Sequence, residues 1–171
     1  MENLIIKAKS GDKSAFTELM LQMKDELYKV AKIRLKNDDD VFDAIQDTML
    51  SAYKSLKKLK HNEYFRTWII KILINECNKV YKVKKYNQEN SYEIIRNTLV
   101  SPDETEEIIN FKFLCDNLNK EDGTIILLYY MEKYTDKEIG EILNMKENTV
   151  RTKRNRIKNK IKKFYEEYGR I

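Results

Sequence analysis

The chain has 171 residues with 33 Lys plus Arg against 28 Asp plus Glu, a net charge of +5, and 42% hydrophobic residues, enough to build a core and too many for a disordered chain. Four Gly and one Pro disfavour strands and turns and point to helices joined by short loops. The longest apolar run, Ile125 to Met131, is far shorter than the roughly 20 residues that cross a bilayer, and the charged N-terminus has no secretory pattern, so a cytoplasmic protein without membrane insertion is expected.

Charge divides the chain into three parts: residues 1–86 carry net +6, residues 87–111 net −5 and residues 112–171 net +4. In the first part, Leu4, Ile5 and Ala8 form an apolar stripe that stops at Gly11, and Asp12 is placed to cap the next helix. Phe16, Leu19, Met20, Met23, Leu27, Val30 and Ala31 then recur at helical spacing. After an acidic turn at Asn37–Asp40, a third helix is expected to turn Phe42, Ile45, Met49, Tyr53 and Leu56 inward. A fourth, from about Tyr64 to Tyr86, buries Phe65, Trp68, Ile69, Ile72, Leu73 and Val80.

Residues 87–107 are acidic and polar, contain the proline, and read as a linker between a domain at 1–86 and a second at 108–171. About 15 residues of such chain span about 20 Å as a flexible coil and about 50 Å fully extended. Ser101-Pro102-Asp103-Glu104 is a helix start signal, followed by Ile108, Ile109, Phe111, Leu114, Cys115 and Leu118. A helix over Glu121–Glu132 is next, and Thr135-Asp136-Lys137-Glu138 is a capping box for a short helix burying Ile139, Ile142 and Leu143. A turn at Asn144–Glu147 leads into the last helix, Asn148 to about Tyr165, with Val150, Ile157, Ile161 and Phe164 on one side. The fold class is therefore all-α, in two small helical domains.

The chemistry inventory offers little to an enzyme. Cys77 and Cys115 stand alone and His61 is the only histidine, so no zinc site is expected; the cysteines read as small buried apolar residues and His61 as a solvated loop residue. Gly11, Gly123, Gly140 and Gly169 are too scattered to cradle a phosphate. No metal or other cofactor is expected.

Function shows at the C-terminal end. Thr135–Lys163 follows the plan of a helix-turn-helix, and residues 146–163 hold nine Lys or Arg against one Glu. Such a helix suits the major groove, where cations neutralise phosphates and polar groups read base edges. With Val150, Ile157 and Ile161 inward, the groove-facing set is Arg151, Thr152, Arg154, Asn155 and Lys158.

The run TDKEIGEILNMKENTVRTKRNRIKNKIK resembles region 4 of bacterial sigma factors, the domain that reads the minus-35 promoter element. Asp43-Ala44-Ile45-Gln46-Asp47-Thr48 and Phe65-Arg66-Thr67-Trp68-Ile69 resemble their region 2, and the two-lobed length is similar to the extracytoplasmic-function (ECF) group. The resemblance implies that Asp43, Gln46, Asp47, Leu50 and Lys54 dock on core RNA polymerase. It places the minus-ten element along Lys71, Asn75, Asn78, Lys79 and Lys82, and makes the loop Lys60–Tyr64, with Asn62 and Tyr64, the place where a flipped base is captured. It implies promoter DNA and core RNA polymerase as partners, along with a cognate anti-sigma factor, in this family often membrane-anchored. Two positions depart from the family pattern. Arg154 stands where an apolar residue usually turns inward, which leaves open a rotated helix or a snorkelling stem, and Asn119 replaces a common proline. The rival readings are a free-standing dimeric helix-turn-helix regulator, which needs neither the Asp43–Lys54 surface nor a melting loop, and a nuclease, for which only Asp38-Asp39-Asp40 loosely qualifies as a metal cluster.

Overall fold

A computed structural model describes residues 1–87 and 116–168. These residues form two helical lobes without a strand among them, and none of their helices is long and apolar enough to cross a membrane. The expected linker, the Ser101–Pro102 start signal, Cys115 and the Phe164 side chain lie outside the described residues.

The N-terminal lobe comprises α1 (Glu2–Lys9), α2 (Lys13–Arg34), α3 (Asp38–Ser55) and α4 (Phe65–Asn87). Gly11 makes the α1–α2 corner at φ +105°, a conformation that strains any residue with a Cβ, and Asp12 then caps α2 by accepting from the Ala15 amide at 3.1 Å. The α2 stripe read from the sequence is buried throughout, Phe16 to Ala31, and α2 is the central helix, packed on α1, α3 and α4. Two 3₁₀ turns, Leu56–Lys58 and Asn62–Tyr64, carry the chain from α3 to α4.

Helix α3 differs from expectation in two ways. Asn37 is its cap, accepting from the Asp39 and Asp40 amides at 2.8 and 3.2 Å, so Asp38–Asp40 form the first helical turn, where carboxylates meet the exposed amides of the helix start. Its buried row is Val41, Ala44, Thr48, Ala52 and Leu56, while Phe42 and Tyr53 are exposed and Ile45 and Met49 half-buried. The helix is turned by about one position from the reading based on its largest side chains. Small residues face α2 and α4 because those helices already bring bulky side chains, and close approach needs the space.

On α4, Phe65, Ile69, Ile70, Leu73, Ile74 and Cys77 are buried, and Trp68, Ile72 and Val80 pack at the margin of the core. Burial pushes the Cys77 thiol up to about 11, which leaves it protonated and inert at neutral pH.

The C-terminal lobe comprises α5 (Lys120–Ile126), a π-helical turn Leu127–Met131, α6 (Asp136–Leu143) and α7 (Glu147–Tyr168). The helix expected over Glu121–Glu132 is thus present, continuous from Lys120 to Met131, and changes pitch within its length. Asn119 caps it by accepting from the Asp122 amide at 2.9 Å. Its second half widens so that the Glu132 amide reaches the Leu127 carbonyl at 3.1 Å. The Thr135–Glu138 capping box is formed, with Glu138 accepting from the Thr135 amide at 2.8 Å and Thr135 accepting from the Glu138 amide at 3.2 Å. Asn144 ends α6 at φ 57°, a left-handed position that Asn tolerates, and the Met145 amide closes onto the Gly140 carbonyl at 2.8 Å.

The lobes pack on each other, α2 against α5 and α4 against α6. Buried apolar residues of both lobes join in one core cluster, and polar contacts run beside it. Buried Glu26 of α2 accepts from the Tyr134 hydroxyl and pairs with Arg66 of α4 at 2.8 Å, and the Arg66 guanidinium lies 4.9 Å from the Tyr134 ring centre. Lys29 pairs with Glu132 at 3.4 Å. Arg34 donates to Asn78 at 2.8 Å and to Thr124 at 3.3 Å, and the Lys120 ammonium lies 3.6 Å over the Tyr81 ring.

A methyl group on Gly140 would lie 2.7 Å from the Met145 carbonyl oxygen, which is backbone and unable to give way. Gly140→Ala is therefore expected to destabilise the helix-turn-helix by about 1–3 kcal/mol despite the better helix propensity of Ala, measured as a lowered urea midpoint; an unchanged or raised midpoint would count against this packing.

Candidate functional site

Three surfaces carry the residues singled out in the sequence. The first is the outer face of α3. Asp43, Gln46, Asp47, Leu50 and Lys54 are all exposed, and none of them has an ion pair or side-chain hydrogen bond among the described residues. Leu50 is 52% exposed, Phe42 58% and Tyr53 46%. The turned helix therefore adds two aromatic residues to this face, which becomes a strip of carboxylates beside apolar groups. Phe42 stands 6.2 Å from the Tyr28 ring, and Tyr53 rests edge-on against Phe16 at 5.1 Å. The sequence did carry a signal for these two: the smaller row Val41, Ala44, Thr48, Ala52 has an equally good helical period.

The second surface runs along α4. Lys71, Asn75, Asn78, Lys79 and Lys82 are exposed, and the last four line an open depression between α3 and α4 together with Ser51, Ser55, Ile72 and Glu76. Glu76, which no pattern in the sequence singles out, is a buried carboxylate that accepts from Ser51 at 3.2 Å and pairs with Lys79 at 2.7 Å. Lys79 thus has a standing partner, whereas Lys71 and Lys82 have none among the described residues. Asn78 accepts from Arg34, so its oxygen is engaged where the two lobes meet.

The loop before α4 stands at one end of this helix. Lys60 and Tyr64 are exposed, and His61 contacts Tyr64 edge-on at 6.0 Å and Glu63 at 3.5 Å. Asn62 is half-buried, and its Oδ1 accepts from the Lys9 ammonium at 2.6 Å; the same ammonium donates to the Leu59 carbonyl at 2.5 Å. Lys9 is the last residue of α1 and carries no signal in the sequence, since nothing in the spacing links residues fifty apart.

The third surface is the outer side of α7. Arg151, Thr152, Asn155 and Lys158 are exposed as expected. Arg151 pairs with Glu147 at 2.9 Å, and the Thr152 hydroxyl donates to the Asn148 carbonyl at 2.8 Å. Arg154 does not belong to this set, and its assignment to the groove-facing side is corrected. It binds Asp136 in two parallel contacts, Nε to Oδ1 and Nη2 to Oδ2, each 2.9 Å, and its guanidinium lies 3.9 Å from the Tyr129 ring centre. Its side chain is 14% exposed and that of Asp136 9%. The hydrogen bonds with Arg154 hold the Asp136 carboxyl below the usual carboxylate range, and the same bonds raise Arg154. Helix α7 is not rotated: Val150 and Ile157 are buried and Ile161 half-buried, so Arg154 fills an inward position with its charge neutralised there. Lys153 also reaches back, to Glu121, and Arg156 lies 3.6 Å from Asp122.

Comparison with known proteins finds two family models along the chain. Residues 19–85 match the family model of Sigma-70 region 2, and residues 114–161 that of Sigma-70, region 4. The chain is 27% identical to the ECF RNA polymerase sigma factor SigW of Bacillus subtilis (strain 168), with 93% of each chain covered. It is 25% identical to RNA polymerase sigma factor SigV of the same organism, over 86% of this chain and 89% of the relative. Among solved structures, CnrH in complex with the cytosolic domain of CnrY has a TM-score of 0.71 at 19% identity, covering 98% of both chains. The sigma factor RpoE in complex with the anti-sigma factor NepR from Bartonella quintana has a TM-score of 0.73 at 18% identity, covering 91% of this chain and 98% of the other. At these identities the structural likeness speaks to the fold.

Removing Arg154 takes from Asp136 its two-point partner, leaving only the more exposed Arg151 at 3.5 Å, and uncovers the Tyr129 face, so Arg154→Ala is expected to destabilise the lobe by about 2 kcal/mol, whereas Lys158→Ala should leave stability unchanged. Asp136 titrates lower when folded than when unfolded, so its contribution is complete above about pH 4 and is lost as pH falls through the folded value. In urea melts across pH, the gap between wild type and Arg154→Ala should close on acidification; a gap independent of pH would show that the ion pair is not its source.

Proposed function

The chain belongs to the extracytoplasmic-function group of bacterial sigma factors, transcription initiation factors without catalysis of their own, and on that premise we propose a division of labour between its lobes. Residues 1–86 dock on core RNA polymerase and handle the minus-ten element, residues 87–107 link, and residues 108–171 read the minus-35 element. The polymerase supplies the chemistry.

The observation that carries this reading is the outer face of α3. Its opposite face is fully occupied by the core, yet Phe42, Leu50 and Tyr53 stand in solvent beside Asp43 and Asp47. Exposed apolar groups next to unpaired carboxylates are costly to keep unless a partner covers them. A free-standing DNA-binding regulator has no use for that face, and no observation favours it. The polymerase surface that fits is one offering cations around an apolar centre.

On the DNA side, Lys71 and Lys82 offer unpaired charge to phosphates, and Asn75 beside the α3–α4 depression offers an amide to a base. Melting requires a base taken out of the stack and held, and the Lys60–Tyr64 loop, with Asn62 and the exposed Tyr64 ring, is the proposed pocket. On α7, Arg151, Thr152, Asn155 and Lys158 form the proposed groove-facing set. Arg151 must exchange its Glu147 contact for DNA, which an exposed i,i+4 pair permits at little cost.

A cognate anti-sigma factor is the proposed regulator. It is supported by the two structural relatives, one seen with the cytosolic domain of CnrY and the other with NepR.

The deciding experiment is co-elution of the purified chain with bacterial core RNA polymerase in size exclusion. Asp47 is exposed and without a partner, so Asp47→Arg should keep the fold and reduce core affinity by about tenfold or more; wild-type affinity in this variant would sink the assignment of the α3 face. Arg151→Ala should weaken minus-35 DNA binding by about 1–3 kcal/mol with core binding unchanged, and Lys158→Ala should lower the slope of log K against log salt by about one. Equal loss of core and DNA binding in Arg151→Ala would argue against the division between lobes.

A further inference from the structure

Among the polar groups of the proposed capture loop, one is constrained from outside. Asn62 is held by Lys9, which arrives from α1, fifty-three residues earlier in the chain. The Lys9 ammonium has three N–H donors and no acceptor, and it spends one on the Leu59 carbonyl at 2.5 Å and one on Asn62 Oδ1 at 2.6 Å. The first contact fixes the backbone where the chain leaves the Leu56–Lys58 turn, and the second fixes the side chain at the start of the Asn62–Tyr64 turn. A single charge thus ties the entry to the loop to the residue at its middle.

The chemistry of the clamp also sets the polarity of Asn62. A primary amide is ambivalent: its oxygen accepts and its nitrogen donates, and in solution it rotates to suit either kind of partner. An ammonium cannot accept, so Asn62 is obliged to turn its oxygen to Lys9. The oxygen keeps a second lone pair but is turned toward Lys9, and the NH₂ group at the other end of the amide is neither buried nor partnered among the described residues. The group Asn62 presents away from Lys9 is therefore a donor.

We propose that Lys9 is a positioning residue for base capture: by occupying the Asn62 oxygen it commits Asn62 to reading hydrogen-bond acceptors, a carbonyl or bare ring nitrogen, on the edge of an extruded base, and so sharpens discrimination at that one promoter position. This rests on the reading of Lys60–Tyr64 as the capture loop. Lys9 does not touch the base. Its effect passes through Asn62, and its removal frees the amide to flip and accept as readily as it donates.

The promoter sequence need not be known for the test. Holoenzyme reconstituted from the full chain and bacterial core polymerase selects from single-stranded non-template oligonucleotides randomised across the minus-ten region, and sequencing gives base enrichment at each position. Wild type is expected to discriminate strongly at the captured position. Lys9→Met, of similar length without the donors, should flatten discrimination there by about tenfold, the worth of a hydrogen bond to a charged group, with enrichment at the other positions and co-elution with core unchanged. Lys9→Arg keeps a donor-only cation and should retain the preference. Asn62→Asp keeps the anchor, as an ion pair with Lys9, but presents an acceptor, so its preference should move toward bases that offer an exocyclic amine. If Lys9→Met keeps wild-type discrimination while Asn62→Ala loses it, the role given to Lys9 is overturned and the capture loop stands. If Asn62→Ala and Tyr64→Ala both leave every position unchanged, the capture-loop reading itself falls, and this inference with it.

Discussion

Glu26 is a carboxylate set into the hydrophobic face of α2, and its partners come from both lobes: Arg66 of α4 on one side and the Tyr134 hydroxyl, just before α6, on the other. Burying such a charge is expensive unless it is paired and hydrogen-bonded; Arg66 meets both needs from within the N-terminal lobe, and the Tyr134 hydroxyl adds a bond to the second oxygen only while the lobes are together. The consequences reach its neighbours. Burial, reinforced by the Glu26 charge, pushes the Tyr134 phenol up, so it remains a donor at any physiological pH. Burial and the same charge push Glu132 up, against the pull of Lys29. Burial lowers Arg66, and its hydrogen bond with Glu26 together with the charges of Tyr134, Glu26 and Glu132 outweighs that, so it ends above its ordinary value. The polar part of the lobe contact is thus organised around one anion, beside the apolar packing. Such a network is specific in orientation.

The same chemistry recurs inside the C-terminal lobe. Arg154 with Asp136 repeats Arg66 with Glu26: a guanidinium between a shielded carboxylate and an aromatic face, Tyr129 in one case and Tyr134 in the other. Arg suits both places because its planar fork offers two donors to one carboxylate, to both oxygens of Asp136 and to Oε2 of Glu26, while its guanidinium lies close to a ring centre. In the first pair the effect is to set the angle between α6 and α7. A helix held by Val150 and Ile157 alone could roll about its axis by a fraction of a turn at small cost. A two-point ionic contact at the position between them removes that freedom and fixes which side chains face out.

Much of this is legible in the chain. The α2 stripe, the Asp12 cap, the Thr135–Glu138 box and the basic outer side of α7 follow from period and capping chemistry, which act over three or four residues. The expectations that fail depend on partners distant in sequence. For α3, two apolar rows are available, and only the bulk already supplied by α2 and α4 decides that Ala44, Thr48 and Ala52 face inward and Phe42 and Tyr53 outward. Arg154 reads as one more cation on a basic helix, because Asp136 lies eighteen residues away on another helix. The widening of the helix at Leu127–Met131 has no glycine or proline to announce it. Lys9 and Glu76 acquire their roles from contacts with Asn62, Leu59 and Ser51 that no spacing rule connects.

The nine cations of residues 146–163 also mean less than their count implies. Arg154 is withdrawn by a shielded two-point pair with Asp136, so it is not available to a phosphate. Lys153 and Arg156 face Glu121 and Asp122 at the start of α5, and Arg151 faces Glu147 and, at 3.5 Å, Asp136. Arg151 and Arg156 are themselves exposed, and single exposed contacts of this kind are worth little, so a phosphate competes with them on favourable terms. Their carboxylates nevertheless stay nearby and offset part of the field. Lys158 and Lys160 have no such neighbour among the described residues. Since counterion release scales with phosphates neutralised, the electrostatic footprint of α7 on DNA is weighted toward its middle and C-terminal turns. The N-terminal turns, where Arg151, Thr152 and Asn155 stand beside acidic groups, suit contacts chosen by geometry over contacts driven by bulk charge. On the proposed reading of α7, a helix divided in this way would separate attachment to the DNA backbone from inspection of its bases along its own length.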